Sequence, residues 1–197
     1  MSIEPSEQLP ITEIGVQQLN LSYSHEQDRL LLKVGLSDQT EILLWLTQRV
    51  ARVIWQLLSA ESNLPATLVN QGPQANLPPQ RAVQQFTQEV KAVETLQKLD
   101  FETAYQPRKE ALQSGGMLIK EVQLLQPDAL STIKTKVLDM QSMDGFQVRL
   151  NLNQETIVAI CNMLQLSAKE ATWTLVAASA VPASIALVPT DKKQVLH

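Results

Sequence analysis

One cysteine, two histidines and six glycines in 197 residues leave little material for several familiar chemistries. A lone thiol, Cys161, cannot close an intrachain disulfide, and a chain of this length does not need one. The histidines are His25 and the last residue, His197. A histidine-based metal cluster or a nucleophile–base pair would therefore rest on His25. That residue stands in a turn beside Glu26 and Asp28 and reads as solvated. Glycine is too sparse for a phosphate cradle. Ser114-Gly115-Gly116 lacks the Gly-Lys-Ser/Thr ending of a P-loop and the spacing of a dinucleotide fingerprint, so it reads as a strand-entry turn. There is no nucleophile elbow. No cofactor is expected.

Charge is scarce as well. Only 18% of residues are charged, and the balance is -4 with a pI near 5.2. A chain that coats phosphates non-specifically carries the opposite sign, so nucleic acid is not the expected partner. Long apolar runs are absent too. The stretch from Trp173 to Val188 lacks charge, but it is short for a spanning helix and contains Pro182, Thr174, Ser179 and Ser184. It reads as a buried strand or an extended segment, not as membrane contact. Met1-Ser2-Ile3-Glu4-Pro5-Ser6-Glu7 has neither a basic nor an apolar region, so no secretory signal is expected and the cytoplasm is the simplest compartment.

A hydrophobic fraction of 44% supports a sizeable core. Leu19, Leu21 and Tyr23 alternate with polar residues. Leu30, Leu32, Val34 and Leu36 do the same, and so do Ile42, Leu44 and Leu46. This is the period of half-buried strands. Short polar turns between them imply an antiparallel meander. Thr47 reads as the N-cap of a helix carrying Val50, Val53, Ile54, Leu57 and Leu58. A Pro/Gln-rich linker over 61–79 follows. The double proline at 78–79 opens a long central helix over 80–104, with Val83, Phe86, Val90, Val93 and Leu96 as a narrow stripe.

The second half restates the order. Strands are expected over 117–125, 131–140 and 146–152, the last with Phe146, Val148, Leu150 and Leu152 inward. A helix capped by Asn153 carries Ile157, Ile160, Cys161 and Leu164. The junctions Leu44-Trp45-Leu46-Thr47-Gln48 and Leu150-Asn151-Leu152-Asn153-Gln154 match at an offset of 106. The predicted fold is therefore α+β, with two antiparallel three-stranded β-meanders each followed by a helix, an internal β-β-β-α duplication, plus the long central helix. It forms a single domain over 1–197. Unit one spans about 16–60 and unit two about 117–171, and an apolar C-terminal segment covers 172–197. Each unit has one apolar sheet face, and the two faces are expected to be buried together about a pseudo-two-fold.

The run Gln27-Asp28-Arg29-Leu30-Leu31-Leu32-Lys33, with Glu41-Ile42-Leu43-Leu44-Trp45-Leu46-Thr47-Gln48-Arg49 and Ile54-Trp55, resembles an uncharacterised proteobacterial family. The shared pattern is Asp-Arg-Leu-Leu-Leu, then Trp-Leu-Thr before a basic helix start. The resemblance implies no activity, ligand or site.

Few residues invite chemistry. Asp100 and Glu102, near Phe101 and Tyr105, could form an acid/base pair only in a pocket that raises one pKa, and they read as a solvated helix end. Cys161 lies on an apolar helix side and reads as a buried, inert thiol. The outer sheet faces are more telling. In unit one this face carries Leu31, Leu43 and Trp45, too much apolar surface to stay wet. The expected cover is the long helix, with Phe86, Val90 and Val93 laid over Trp45. A second chain in a homodimer is the alternative. In unit two the same face carries Gln147, Arg149 and Asn151, and Lys134, Lys136 and Arg149 form a candidate anion patch. A non-catalytic protein–protein interaction or scaffold protein that self-associates fits best. A small-ligand-binding protein with its pocket between the two units comes second, and an enzyme third.

Overall fold

The computed structural model describes residues 16–65, 78–112, 115–127 and 135–175. Strands β1 (Val16–Ser24), β2 (Arg29–Leu36) and β3 (Thr40–Leu46) precede helix α1 (Gln48–Ser62). Helix α2 (Pro79–Lys98) and a two-residue strand β4 (Glu110–Ala111) follow. The chain then gives β5 (Met117–Leu125), β6 (Lys136–Ser142), β7 (Gln147–Leu152) and helix α3 (Gln154–Glu170). Among the described residues this is an α+β fold with one mixed sheet of seven strands and three helices. Residues 66–77 of the expected linker, Lys134 and the apolar run from residue 176 lie outside the described residues.

Alternation produces the strands. Leu30, Leu32 and Val34 of β2 pair with Leu46, Leu44 and Ile42 of β3, and all six are buried. The β1–β2 turn is closed by the Tyr23 hydroxyl, which donates to Asp28 at 2.7 Å. The helices start where their caps dictate. Thr47 Oγ1 accepts from the Val50 N–H, and Asn153 Oδ1 accepts from the Thr156 N–H at 2.7 Å. Trp55 is fully buried on α1, a place the helical spacing assigned to Val53 and Leu57. One hydrophobic core joins both halves, from Leu30 and Trp55 to Leu138 and Leu164.

The two halves meet in one sheet, ordered β1-β2-β3-β5-β6-β7. The join is parallel, with Leu44 opposite Met117 and Trp45 opposite Leu118. Unit one's third strand therefore lies beside unit two's first, so the meanders do not bury separate faces against each other. A parallel join needs a long crossover, and residues 47–116 supply it. The helices are exchanged across the join. Helix α1 packs on β5, and α3 packs on β1 as well as on α1.

The registers of the two meanders correspond. Leu30↔Leu46 and Leu32↔Leu44 in one become Lys136↔Leu152 and Leu138↔Leu150 in the other, 106 residues on. A register shift falls between Val16 and Gln18, facing Leu36 and Gly35. Another falls between Ile119 and Glu121, facing Ser142 and Gln141. Such a bulge leaves one residue unpaired in the ladder, Gln17 in β1 and Lys120 in β5.

Candidate interaction surfaces

Three regions of surface are more than a solvated exterior. The first is the outer face of unit one. Leu31, Leu43 and Trp45 share it, and all three are half-buried. The cover expected from the long helix is not there. Phe86 is 67% exposed and Val90 is 39% exposed, because α2 packs on α3 and stops at Lys98. Trp45 meets the turn before β5 instead. Its Nε1–H donates to the Gly115 carbonyl at 2.7 Å. A Cβ at Gly116 would sit 2.9 Å from Trp45 Nε1 and 3.1 Å from Leu43 Cβ. Only glycine lets the backbone lie this close, and its φ of +81° favours glycine independently.

The stretch 99–112 runs along the same side of unit one. The Gln106 N–H donates to Gln18 Oε1 at 3.1 Å, and Arg108 Nη2 donates to Gln17 Oε1 at 2.9 Å. The Lys33 ammonium lies 5.7 Å from the centre of the Tyr105 ring. A Cβ at Gly35 would lie 2.9 Å from Arg108 Nε, so glycine makes room for this crossing. Burial first, and the Glu41 carboxylate second, hold the Tyr105 hydroxyl above the ordinary tyrosine pKa. The stretch ends in β4, parallel to the start of β3. Periodicity gave no sign of this element, since a two-residue strand has none to show.

The second region is α2. Of its 20 residues only Ala92 is buried. Leu96 and the cap residue Leu99 pack against the core, while Val83, Phe86 and Val90 point outward at a spacing of three and four. Val83 is 66% exposed.

The third region is a groove of about 740 Å³ between β1, α3 and the 99–108 stretch. Gln17, Gln18 and Arg108 give it a polar side, and Leu19, Met163 and Leu166 an apolar one. It lies between the two halves, since β1 belongs to the first and α3 to the second.

The two described members of the candidate anion patch do not come together. Lys136 pairs across the sheet with Leu152, which places it on the inner face, while Arg149 is on the outer face. Each meets a carboxylate: Lys136 is bonded to Glu61, and Arg149 Nε lies 3.6 Å from Asp139. Lys134 is outside the described residues.

The remaining candidates have structural surroundings. His25 is solvated, 3.7 Å from Glu170. Asp100 accepts from the Glu102 and Thr103 N–H groups, each at 2.9 Å. The Thr103 hydroxyl, then these N–H groups, hold its pKa below the ordinary carboxylate value, the wrong direction for a general acid. Burial pushes the Cys161 thiol up to about 12, against a weaker pull from Ser62. Among the described residues no group of three or more His, Cys, Asp or Glu could hold a metal ion. No helix there is long and apolar enough to cross a membrane.

No protein-family model matches the chain, and no curated protein or solved structure matches it at a significant level.

Proposed function

We propose that this chain is a non-catalytic protein–protein interaction protein that self-associates through α2. The observation that carries the reading is the outward stripe Val83, Phe86 and Val90 on a helix with one buried residue. Apolar side chains at this spacing form a seam that a second helix with the same seam can cover about a two-fold axis. The area is small beside a standard interface, so the dimer is weak, with a Kd on the order of 10–100 µM. The setting is the cytoplasm, where Cys161 stays reduced.

The body that carries α2 is read as a tandem duplication. The repeated registers, the repeated bulge and the equivalent caps at Thr47 and Asn153 support this. Side-chain identity has drifted while backbone pairing has not.

Thermal melting tests the reading. The midpoint of the wild type should rise with protein concentration, and that of Phe86→Asp should not. Because Phe86 is exposed, the substitution should leave the monomer as stable as before. A wild-type midpoint that is independent of concentration contradicts self-association. The groove favours the second reading, a ligand pocket between the halves. A small molecule found in it would support that reading without bearing on α2.

A further inference from the structure

We infer that the groove between β1 and α3 binds an extended peptide, which adds to β1 as a strand. The peptide carries apolar side chains at alternate positions and one basic residue. The inference goes beyond self-association, and in one comparison it rests on the duplication.

Strand β1 ends the sheet. Among the described residues no strand pairs with its outer edge. A strand edge is a row of backbone donors and acceptors that need partners. Here the row faces a groove walled by a helix, the arrangement into which peptides insert by strand addition. Residues 16–21 line it, and at ~3.3 Å per residue they span roughly 20 Å, room for a peptide of about six residues. Val16, Phe101 and Leu166 line the same groove, and all three are exposed. They would receive alternate apolar side chains of an added strand.

The other half shows the closed form of this seam. There the bulge residue Lys120 offers its carbonyl to α1, and Arg49 Nη2 donates to it at 3.0 Å. The duplication places Gln17 where Lys120 stands and Glu155 where Arg49 stands. A carboxylate cannot donate to a carbonyl, so the clamp at the bulge has no counterpart at Glu155, and α3 instead holds β1 further along, where the Ser167 hydroxyl donates to the Leu21 carbonyl at 3.2 Å. Charge then narrows the occupant. The Glu155 and Asp100 carboxylates line the groove, and Arg108, the one cation among the described lining residues, is bonded to Gln17. The surplus is negative, which favours a basic residue in the peptide.

The test titrates the isotopically labelled full chain with the acetylated peptide Lys-Val-Thr-Val-Thr-Val, read by amide shifts and hydrogen exchange. The expected shifts are confined to residues 16–21, 99–108 and 153–167, and exchange of the β1 edge amides slows. Ala159→Trp, which fills the groove, should abolish binding. Glu155→Lys should weaken binding of this peptide at least fivefold and leave a peptide with Gln in place of Lys unaffected. Four results overturn the inference: edge amides already protected before peptide is added, shifts centred on α2 or another face, no shifts at millimolar peptide, or wild-type affinity in Ala159→Trp. Should Ala159→Trp fail to fold, the Glu155→Lys comparison decides, and equal weakening of both peptides refutes the inference. None of these results depends on dimerisation through α2.

Discussion

Gly116→Ala should destabilise the protein well beyond a surface substitution. Two separate costs act at this position. An L-residue at φ +81° is strained by roughly 1–2 kcal/mol. The added Cβ also meets the Trp45 ring at 2.9 Å and Leu43 Cβ at 3.1 Å, and overpacking of this kind costs about 1–3 kcal/mol. Leu43 is held in the sheet opposite Lys33, so it cannot yield without moving the strand. The sum is about 2–5 kcal/mol, read by urea unfolding followed by far-UV circular dichroism. The ring contact can be separated from the rest. In a Trp45→Ala background the contact with the ring disappears while the backbone strain and the contact with Leu43 Cβ stay. Gly116→Ala should then cost less than in wild type but still at least about 1–2 kcal/mol, and the double-mutant cycle should show a coupling of about 1 kcal/mol or more. Trp45→Ala alone also removes the hydrogen bond to the Gly115 carbonyl. Strictly additive substitutions, or a Gly116→Ala protein within about 0.5 kcal/mol of wild type, would refute the placing of this turn against Trp45.

Two further outcomes concern the buried thiol and the helix caps. Burial pushes the Cys161 thiol up to about 12, well above the ordinary cysteine pKa near 9.0, so the folded protein keeps a proton that the unfolded chain loses. The stability this confers is present below pH 9 and is lost as pH rises toward 12, at about 1.4 kcal/mol per unit. Stability measured from pH 8.5 to 10.5 should therefore fall more steeply in wild type than in Cys161→Ala, while Tyr23 and Tyr105 contribute equally to both; parallel curves would contradict a buried thiol. The caps should also behave as equivalents. Thr47→Ala and Asn153→Ala should each cost about 1 kcal/mol in urea unfolding, with the larger loss at Asn153, whose side-chain Oδ1 also accepts from the Thr156 hydroxyl. A negligible effect at either position would separate the two junctions.

Much of this fold is legible because its signals are local. Alternation at Leu30, Leu32 and Val34 marks a strand whatever lies beside it. A cap residue such as Thr47 or Asn153 sets a helix start through one hydrogen bond to its own turn. What failed depends on distant partners. The stripe on α2 says that the helix has an apolar face but not what meets it, and Phe86 is exposed because α2 lies on α3. The parallel join of β3 to β5 is set by a crossover, and no periodicity records that. Lys136 changed faces because one residue of register moves a side chain across the sheet. Phe146, expected inward, precedes β7 and is 53% exposed. The groove was the least legible feature, since it is built from three stretches far apart in the chain and lined by ordinary amides and aliphatics.

Self-association through α2 is tested most directly by mass. Light scattering on the full chain from about 5 to 500 µM should show the mass of the wild type rise from 21.9 kDa toward twice that value. Phe86→Asp should stay at the monomer mass throughout. A wild type that remains monomeric over the whole range, or a Phe86→Asp protein that dimerises equally well, would contradict the role assigned to this helix.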